Sequence, residues 1–207
     1  NVNNNWYTNY IAKWCIDYTI EQINKIEKEY PSDYTRILNK VNLAAAEISE
    51  MKKVADNMYF PYSEENGVYL QQDGFLDKEL ITVANLDKSQ RPINQKWSWD
   101  RILRSPYIKQ ADTLQGFYFF EDHFTKEQLE KHFDFYEPFT VHESSLSPCV
   151  HSIQAAVLGR MDQAYTFYLR TSRLDLDDYN KEVHEGLHIT SMAGTWMSIV
   201  EGFGGMR

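Results

Sequence analysis

Basic residues are scarce in this chain. The sequence has 21 lysines and arginines against 30 aspartates and glutamates, which gives a formal net charge of −9. A field of that sign repels the phosphate backbone of DNA and RNA, so nucleic acid is not an expected partner. Apolar runs of membrane-spanning length are also missing, and no stretch resembles a signal peptide, so we expect no membrane partner either.

Cysteine is limited to two residues, Cys15 and Cys149. Both lie beside apolar residues in predicted helices, which favours buried free thiols over a disulfide framework. Free thiols are typical of a reducing compartment, so a cytoplasmic location is expected. The first residue is Asn1 and not methionine, and we expect the chain to be a domain excised from a longer protein.

Helical periodicity dominates what is present. Residues 8–28 carry two apolar stripes and predict a helix that is buried on more than one side. A single apolar stripe predicts one further helix over residues 34–55. Residues 58–104 instead contain scattered glycine and proline, and short apolar runs predict a few brief strands within 58–95.

Helix-start signals return after residue 104. Ser105-Pro106 and Ser147-Pro148 each place a proline in a predicted first turn, and residues 125–128 have the form of a capping box. A last helix is predicted to begin at Thr190 or Ser191. About seven helices joined by alternating short and long connections predict an all-α fold, either a bundle or a helical toroid.

Three loops before predicted helices are candidates for binding, at residues 107–112, 140–148 and 186–195. For the second, a loop that only caps the next helix is the alternative. Lys109 offers a positive charge and Gln110 a donor and an acceptor, which suits sugar hydroxyls or phosphate; a plain surface pair is the alternative. Farther along, His188 precedes Thr190 and Ser191 at a predicted helix start, where free amides and hydroxyls can hold an anion. Gly194 has no side chain, so a ligand can come close to the first turns of this helix. The alternative is an ordinary capped helix with a core histidine.

The stretch 184–188 (His-Glu-Gly-Leu-His) matches the pattern of zinc peptidases. That chemistry needs both histidines on one helix face, so that both rings reach the same zinc ion. Here Gly186 interrupts the pattern, and the strong helix-start signal follows it. A metal site at His184 and His188 is therefore the disfavoured alternative.

Taken together and in order, these loops resemble glycoside hydrolase family 65, and within it the enzymes that phosphorolyse maltose. The matching segments are residues 109–112, 136–149, 173–179 and 186–196, while residues 3–9 resemble the segment that follows the family's catalytic acid. The likeness is strong over roughly residues 1–15 and 96–207 and weak between them.

The resemblance implies that residues 1–207 are the C-terminal part of a catalytic (α/α)6 barrel, with the upstream barrel helices and an N-terminal sheet domain outside this sequence. It implies an inverting reaction in which inorganic phosphate, the co-substrate, attacks an α-glucosyl disaccharide, with maltose expected, to give β-glucose 1-phosphate and glucose. No other cofactor and no metal are implied. The catalytic glutamate is expected upstream of Asn1, so this chain alone is expected to be inactive.

The resemblance also assigns roles to individual residues. Lys109 and Gln110 would hold the glucose whose bond is cleaved. Phosphate would be held by a second group of residues, namely His188, Thr190, Ser191 and Gly194. A cytoplasmic homodimer is implied as well.

Three alternatives stay open on the sequence. An inverting hydrolase on the same barrel would need a carboxylate base such as Glu143 or Glu185. A zinc peptidase would use His184 and His188. A sugar-binding domain without catalysis would need neither a carboxylate base nor a zinc site.

Overall fold

The computed structural model describes residues 2–179 and 181–206. Ten α-helices account for most of this described part, and the last of them continues as a π-helical segment, Ser198–Phe203. In chain order they are α1 (Trp6–Glu29), α2 (Pro31–Val41), α3 (Ala45–Asp56), α4 (Ile93–Lys96), α5 (Trp99–Arg104), α6 (Thr113–Phe119), α7 (Lys126–Tyr136), α8 (Ser147–Val157), α9 (Met161–Ser172) and α10 (Ile189–Met197). The expected all-helical fold is confirmed, and it fits part of a helical barrel. No described helix has the length and apolar character needed to cross a membrane.

The described sheet is a single antiparallel hairpin within residues 58–95, the long insertion. Strand β1 (Tyr62–Ser63) pairs with β2 (Val68–Tyr69), with Tyr62 opposite Tyr69. Gly67 stands in the turn with a φ of 65°, a left-handed conformation that glycine adopts without steric cost. Brief strands were predicted for residues 58–95, and the hairpin confirms them.

Helix α1 differs from its prediction in how it is buried. The helix itself is confirmed, and the Asn5 side chain caps it by accepting a hydrogen bond from Thr8 N at 2.9 Å. Among its described residues only Trp6 is buried, however, because α2, α3 and α6 cover only parts of its surface. Cys15 is exposed, so its predicted burial is wrong, whereas Cys149 is buried as expected.

The helix predicted over residues 34–55 is in fact two helices, α2 and α3. Asn42 ends α2 in the left-handed conformation, with a φ of 53°. Asparagine tolerates that conformation better than most residues, so it can stop a helix although the apolar stripe continues beyond it. Helix α3 then begins where Glu47 accepts a hydrogen bond from Ala44 N at 2.8 Å.

The helix predicted at Ser105-Pro106 is also wrong. Helix α5 ends at Arg104, and the next helix begins only at Thr113. The intervening segment is extended because Ile108 forms a parallel bridge with the segment after α7: Ile108 N donates to Phe139 O at 2.9 Å, and Val141 N donates to Ile108 O at 3.0 Å. A long-range contact thus overrides the local helix signal.

The remaining helix starts agree with the sequence. Thr125 and Gln128 form the predicted capping box of α7, and Ser147-Pro148 opens α8. Helix α10 begins at Ile189, one residue before the predicted start, with His188 as its N-cap residue.

Helix α8 is the centre of the core. Every residue of it from Ser147 to Ala156 is buried, and α6, α7, α9 and α10 pack around it. Two of its polar side chains donate to neighbouring backbones: Gln154 to Leu114 O at 2.7 Å and Ser152 to Ala164 O at 2.9 Å. A buried hydrogen bond of this kind fixes the register between helices, since leaving its partner unpaired would be costly.

Gly116 lets α6 approach the first turn of α1. A methyl group at this position would lie 2.5 Å from Cζ3 of the buried Trp6 ring, which is too close for two carbon atoms that are not bonded. We expect Gly116→Ala to destabilise the fold by about 1–3 kcal/mol through overpacking. Thermal unfolding of the purified protein checks this, with Gln115→Ala on the same helix as the control. An unchanged midpoint for Gly116→Ala would contradict the packing described.

Candidate functional site

Several of the predicted site residues line one cavity of about 760 Å³. Its walls come from the start of α1 and from the loops and first turns at α6, α8 and α10. Lys109 and Gln110, the predicted sugar ligands, lie on the same cavity as Thr190 and Gly194, two of the predicted phosphate ligands. The structure thus brings together residues that are about 80 positions apart in sequence.

Lys109 and Gln110 are both exposed, so their polar ends are available to a ligand. Ile108 and Ala111 on either side of them are buried. The bridge from Ile108 to the segment after α7 fixes the backbone from which they project. A short segment anchored on both sides is a suitable support for two ligand-binding side chains, because little conformational freedom is lost on binding.

Asp112 lies on the same wall and was not predicted as a site residue. Its carboxylate accepts hydrogen bonds from the side-chain amides of Asn5, at 3.2 Å, and Gln71. Burial is the main effect on this group and raises the pKa of Asp112. Its φ of 40° is unusual for a residue other than glycine. This network joins the start of α1, the insertion and the Lys109 segment at one carboxylate.

The N-termini of α8 and α10 meet beside this cavity. Ser145 Oγ, just before α8, lies 3.2 Å from Thr190 Oγ1 in the first turn of α10, so the two hydroxyls share a hydrogen bond. Two helix N-termini bring two positive dipole ends and two sets of unpaired amides to one place. Ser145 belongs to a loop with visible polar character, but only the tertiary approach of α10 identifies it as a partner of Thr190.

His188 and Ser191 are the other two predicted phosphate ligands, and each has a partner within the protein. His188 Nδ1 lies 2.6 Å from Asp175 Oδ1, and the His188 backbone N–H donates to Asp175 Oδ2 at 2.8 Å. These bonds lower the pKa of the Asp175 carboxyl. The other ring nitrogen, Nε2, lies 3.7 Å from Glu182 Oε2. Neither His188 nor Ser191 lines the cavity that holds Lys109. The Ser191 hydroxyl is buried and donates to Thr171 O at 2.9 Å.

Gly194 allows α10 to pack closely on α8. A methyl group on Gly194 would lie 2.7 Å from Cys149 Cβ and 3.0 Å from its sulfur. We expect Gly194→Ala to cost about 1–3 kcal/mol of stability, because α10 must move away from α8. Thermal unfolding measures the effect, and Ala193→Ser in the same turn is the control. Equal midpoints for the two variants would show that this close approach is unimportant.

The carboxylates considered for a hydrolase lie away from this cavity. Glu143 is buried and accepts from Ile93 N at 2.8 Å, with Arg91 Nε 3.4 Å from its other oxygen. Glu185 is exposed in a 3-10 turn, Val183–Glu185. Neither lines the cavity that holds Lys109.

The zinc alternative is not supported by the geometry. His184 lies in the 3-10 turn with 75% of its side chain exposed, whereas His188 caps α10. Gly186, with a φ of 132°, separates the two, so the histidines share no helix. Within residues 2–179 and 181–206 no group of three or more histidine, cysteine or acidic residues is placed to hold a metal ion.

Residues 1–197 match the glycosyl hydrolase family 65 central catalytic domain, and the chain belongs to this family. It is 52% identical over 207 residues to a maltose phosphorylase of Bacillus subtilis (strain 168) and 47% identical over 206 residues to an alpha,alpha-trehalose phosphorylase of Thermoanaerobacter brockii. Each match takes in 100% of this chain, but only 26% and 27% of those relatives. The chain therefore spans about a quarter of their length.

A solved structure gives the same picture. A putative kojibiose phosphorylase from human microbiome superposes with a TM-score of 0.88 at 40% sequence identity. The superposition covers 99% of this chain and 27% of that one. Sequence and fold thus agree on the family, while the similar proteins carry names that refer to different disaccharides.

Proposed function

We propose that the protein to which this chain belongs is an inverting phosphorylase that cleaves an α-glucosyl disaccharide with inorganic phosphate. One observation carries the proposal: the N-termini of α8 and α10 meet through the Ser145–Thr190 hydrogen bond, beside a cavity that also exposes Lys109 and Gln110. A pair of helix N-termini attracts a phosphate anion, and the adjacent polar side chains suit a sugar. The proposal places both substrates side by side.

In the proposed reaction a phosphate oxygen attacks the anomeric carbon of the glucosyl unit from the face opposite the glycosidic bond. The new carbon–oxygen bond forms as the bond to the departing sugar breaks, and the leaving oxygen takes a proton from a general acid. The configuration is inverted, so the products are β-glucose 1-phosphate and glucose when the substrate is maltose. Phosphate is already an anion, so no carboxylate base is required.

Each candidate residue has a part in this scheme. Lys109 and Gln110 hold hydroxyls of the glucosyl unit. Thr190, Ser145 and the amides at the two helix starts hold phosphate, and His188 donates from Nε2. Gly194 stays a predicted phosphate ligand on the cavity wall, and its lack of a side chain lets α10 pack on Cys149. Ser191 stays a predicted ligand, although its hydroxyl is now bonded to Thr171 O.

Maltose is the proposed disaccharide because the maltose phosphorylase of Bacillus subtilis is more similar to this chain than the trehalose phosphorylase and the putative kojibiose phosphorylase described above, at 52% against 47% and 40% identity. Assay of the full-length enzyme with maltose, trehalose and kojibiose tests this choice. The highest kcat/KM is expected for maltose, and a higher value for either of the others would reassign the substrate.

The central experiment is the phosphate dependence of cleavage. Full-length enzyme is incubated with disaccharide in a phosphate-free buffer and then with increasing phosphate. We expect no cleavage without phosphate, saturable cleavage with it, and release of the β anomer of glucose 1-phosphate by NMR. Cleavage to two free sugars without phosphate would replace the proposal with a hydrolase.

The homodimer and the cytoplasmic location implied by the family are also proposals. Sedimentation equilibrium of the full-length enzyme tests the first, and a monomeric mass would count against it. Fractionation of the source cells tests the second.

A further inference from the structure

Two arginines from distant parts of the chain bind consecutive carbonyl oxygens of one loop. Arg91, in the long insertion, donates from Nη2 to Val141 O at 2.6 Å. Arg170, near the end of α9, donates from Nη2 to His142 O at 2.5 Å. Charged hydrogen bonds to a backbone carbonyl are stronger than neutral ones, so the two side chains hold this loop firmly.

The loop they hold needs such support. His142 is in the left-handed conformation, with a φ of 52°, and Val141 beside it is buried. A residue other than glycine persists in that conformation when its surroundings impose it. Glu143 adds a third constraint, since its carboxylate accepts from Ile93 N at 2.8 Å and so ties the loop to the start of α4.

The same loop leads directly to the phosphate site. Ser145, which shares a hydrogen bond with Thr190, is only a few residues beyond His142 in the connection to α8. His142 Nδ1 also lies 3.1 Å from the hydroxyl of Ser147, the first residue of α8. A shift of the Val141 and His142 carbonyls would therefore move Ser145 and the first turn of α8 with them.

The placement of the two arginines has an electrostatic cost. Their guanidinium groups are close enough that the charge of Arg91 adds to the effect of burial in lowering the pKa of Arg170. Arg170 Nε is also buried without a hydrogen-bond partner among the described residues. Like charges placed together in a partly buried region destabilise the fold unless something offsets them. Here Glu143 lies next to Arg91, and the Tyr179 ring lies 4.1 Å from Arg170 Cζ.

From these contacts we infer that Arg91 and Arg170 are positioning residues for phosphate, an inference that rests on the proposed function. Neither arginine lines the cavity that holds Lys109 and Gln110. They fix the loop that carries Ser145, and through Arg91 the insertion 58–95 acquires a role in the phosphate half of the site. The loop reaches the Lys109 segment only through the Ile108 bridge, so the effect on the sugar half is expected to be smaller.

The test uses the full-length enzyme with the single variants Arg91→Gln, Arg170→Gln and Arg170→Lys. We expect the KM for phosphate to rise about tenfold in the glutamine variants, the change that loss of one charged hydrogen bond produces. The KM for disaccharide is expected to change less than about twofold. Arg170→Lys retains a cation and one donor and should recover part of the phosphate affinity.

The matched control is Arg160→Gln. Arg160 precedes α9, far along the helix from Arg170, and forms ion pairs with Asp134 and with Glu130, the latter at 3.0 Å. It controls for the loss of stability that removal of any paired arginine causes. Should Arg170→Gln not fold, Arg91→Gln and Arg170→Lys still decide the question.

The experiment distinguishes failure of the proposed function from failure of the positioning role. If the wild-type enzyme cleaves disaccharide without phosphate, the proposed function fails. If the wild type requires phosphate but the arginine variants raise both KM values equally, or lower only the unfolding midpoint as Arg160→Gln does, then the positioning role alone is wrong. A selective rise in the phosphate KM with partial recovery in Arg170→Lys would establish it.

Discussion

Replacing Lys109 with alanine in the full-length enzyme is expected to lower kcat/KM for the disaccharide by tens- to hundreds-fold. Lys109 is exposed on the cavity, and its segment is fixed by the bridge at Ile108, so its charge is held where a sugar hydroxyl would lie. Loss of one charged hydrogen bond in the transition state amounts to about 2–3 kcal/mol. Initial rates at varied disaccharide and saturating phosphate measure it.

Lys126→Ala is the control for Lys109, because Lys126 is an exposed lysine at the start of α7, outside the cavity. Its kinetics should match the wild type. Wild-type kcat/KM in Lys109→Ala would remove this residue from the site, and the cavity would then have to bind sugar through other groups.

His188→Ala is expected to raise the KM for phosphate by tens-fold and to lower phosphorolysis more than it weakens disaccharide binding. Asp175 holds the ring through Nδ1, so under the proposed function Nε2 is the donor to phosphate, and alanine removes it. Loss of a charged hydrogen bond and of alignment accounts for the size of the effect. Steady-state kinetics at varied phosphate check it.

The effect of Ser191→Ala on the phosphate KM is expected to be smaller than that of His188→Ala. Ser191 donates to Thr171 O inside the protein, so its replacement should alter the phosphate KM less than loss of His188 does. A larger effect at Ser191 would contradict this order and would mean that its hydroxyl turns toward phosphate during the reaction.

The helices that could be predicted are those with local signals at their ends. The capping box of Thr125 and Gln128 and the Ser147-Pro148 start depend on neighbours in sequence, and both are present. The helix predictions that were wrong have causes that are non-local or that the apolar pattern does not show. Ser105-Pro106 does not start a helix because Ile108 pairs with a segment some 30 residues later, and Asn42 stops α2 through a conformation that the apolar pattern does not reveal.

The candidate site was predictable to a similar extent. Lys109, Gln110, Thr190 and Gly194 could be proposed from their motifs, and the fold places them on one cavity. Asp112 and Ser145 lie in segments that the sequence also singles out, but their roles depend on partners from other segments: Gln71 and Asn5 for the first, Thr190 for the second. Convergence of this kind is a property of the tertiary structure.

The bridge between Ile108 and the segment after α7 has a further consequence, which is thermodynamic linkage between the two substrates. It joins the segment next to Lys109 to the loop that leads to Ser145. Ile108 N donates to Phe139 O, and Val141 N donates to Ile108 O. A ligand that holds one of these segments in its bound position holds the other there as well, through the bridge. Phosphate should therefore tighten disaccharide binding, and by reciprocity the disaccharide should tighten phosphate binding by the same factor. Calorimetric titration of each substrate with and without a non-reacting analogue of the other measures that factor, and a value of one would mean that the two halves of the cavity act independently.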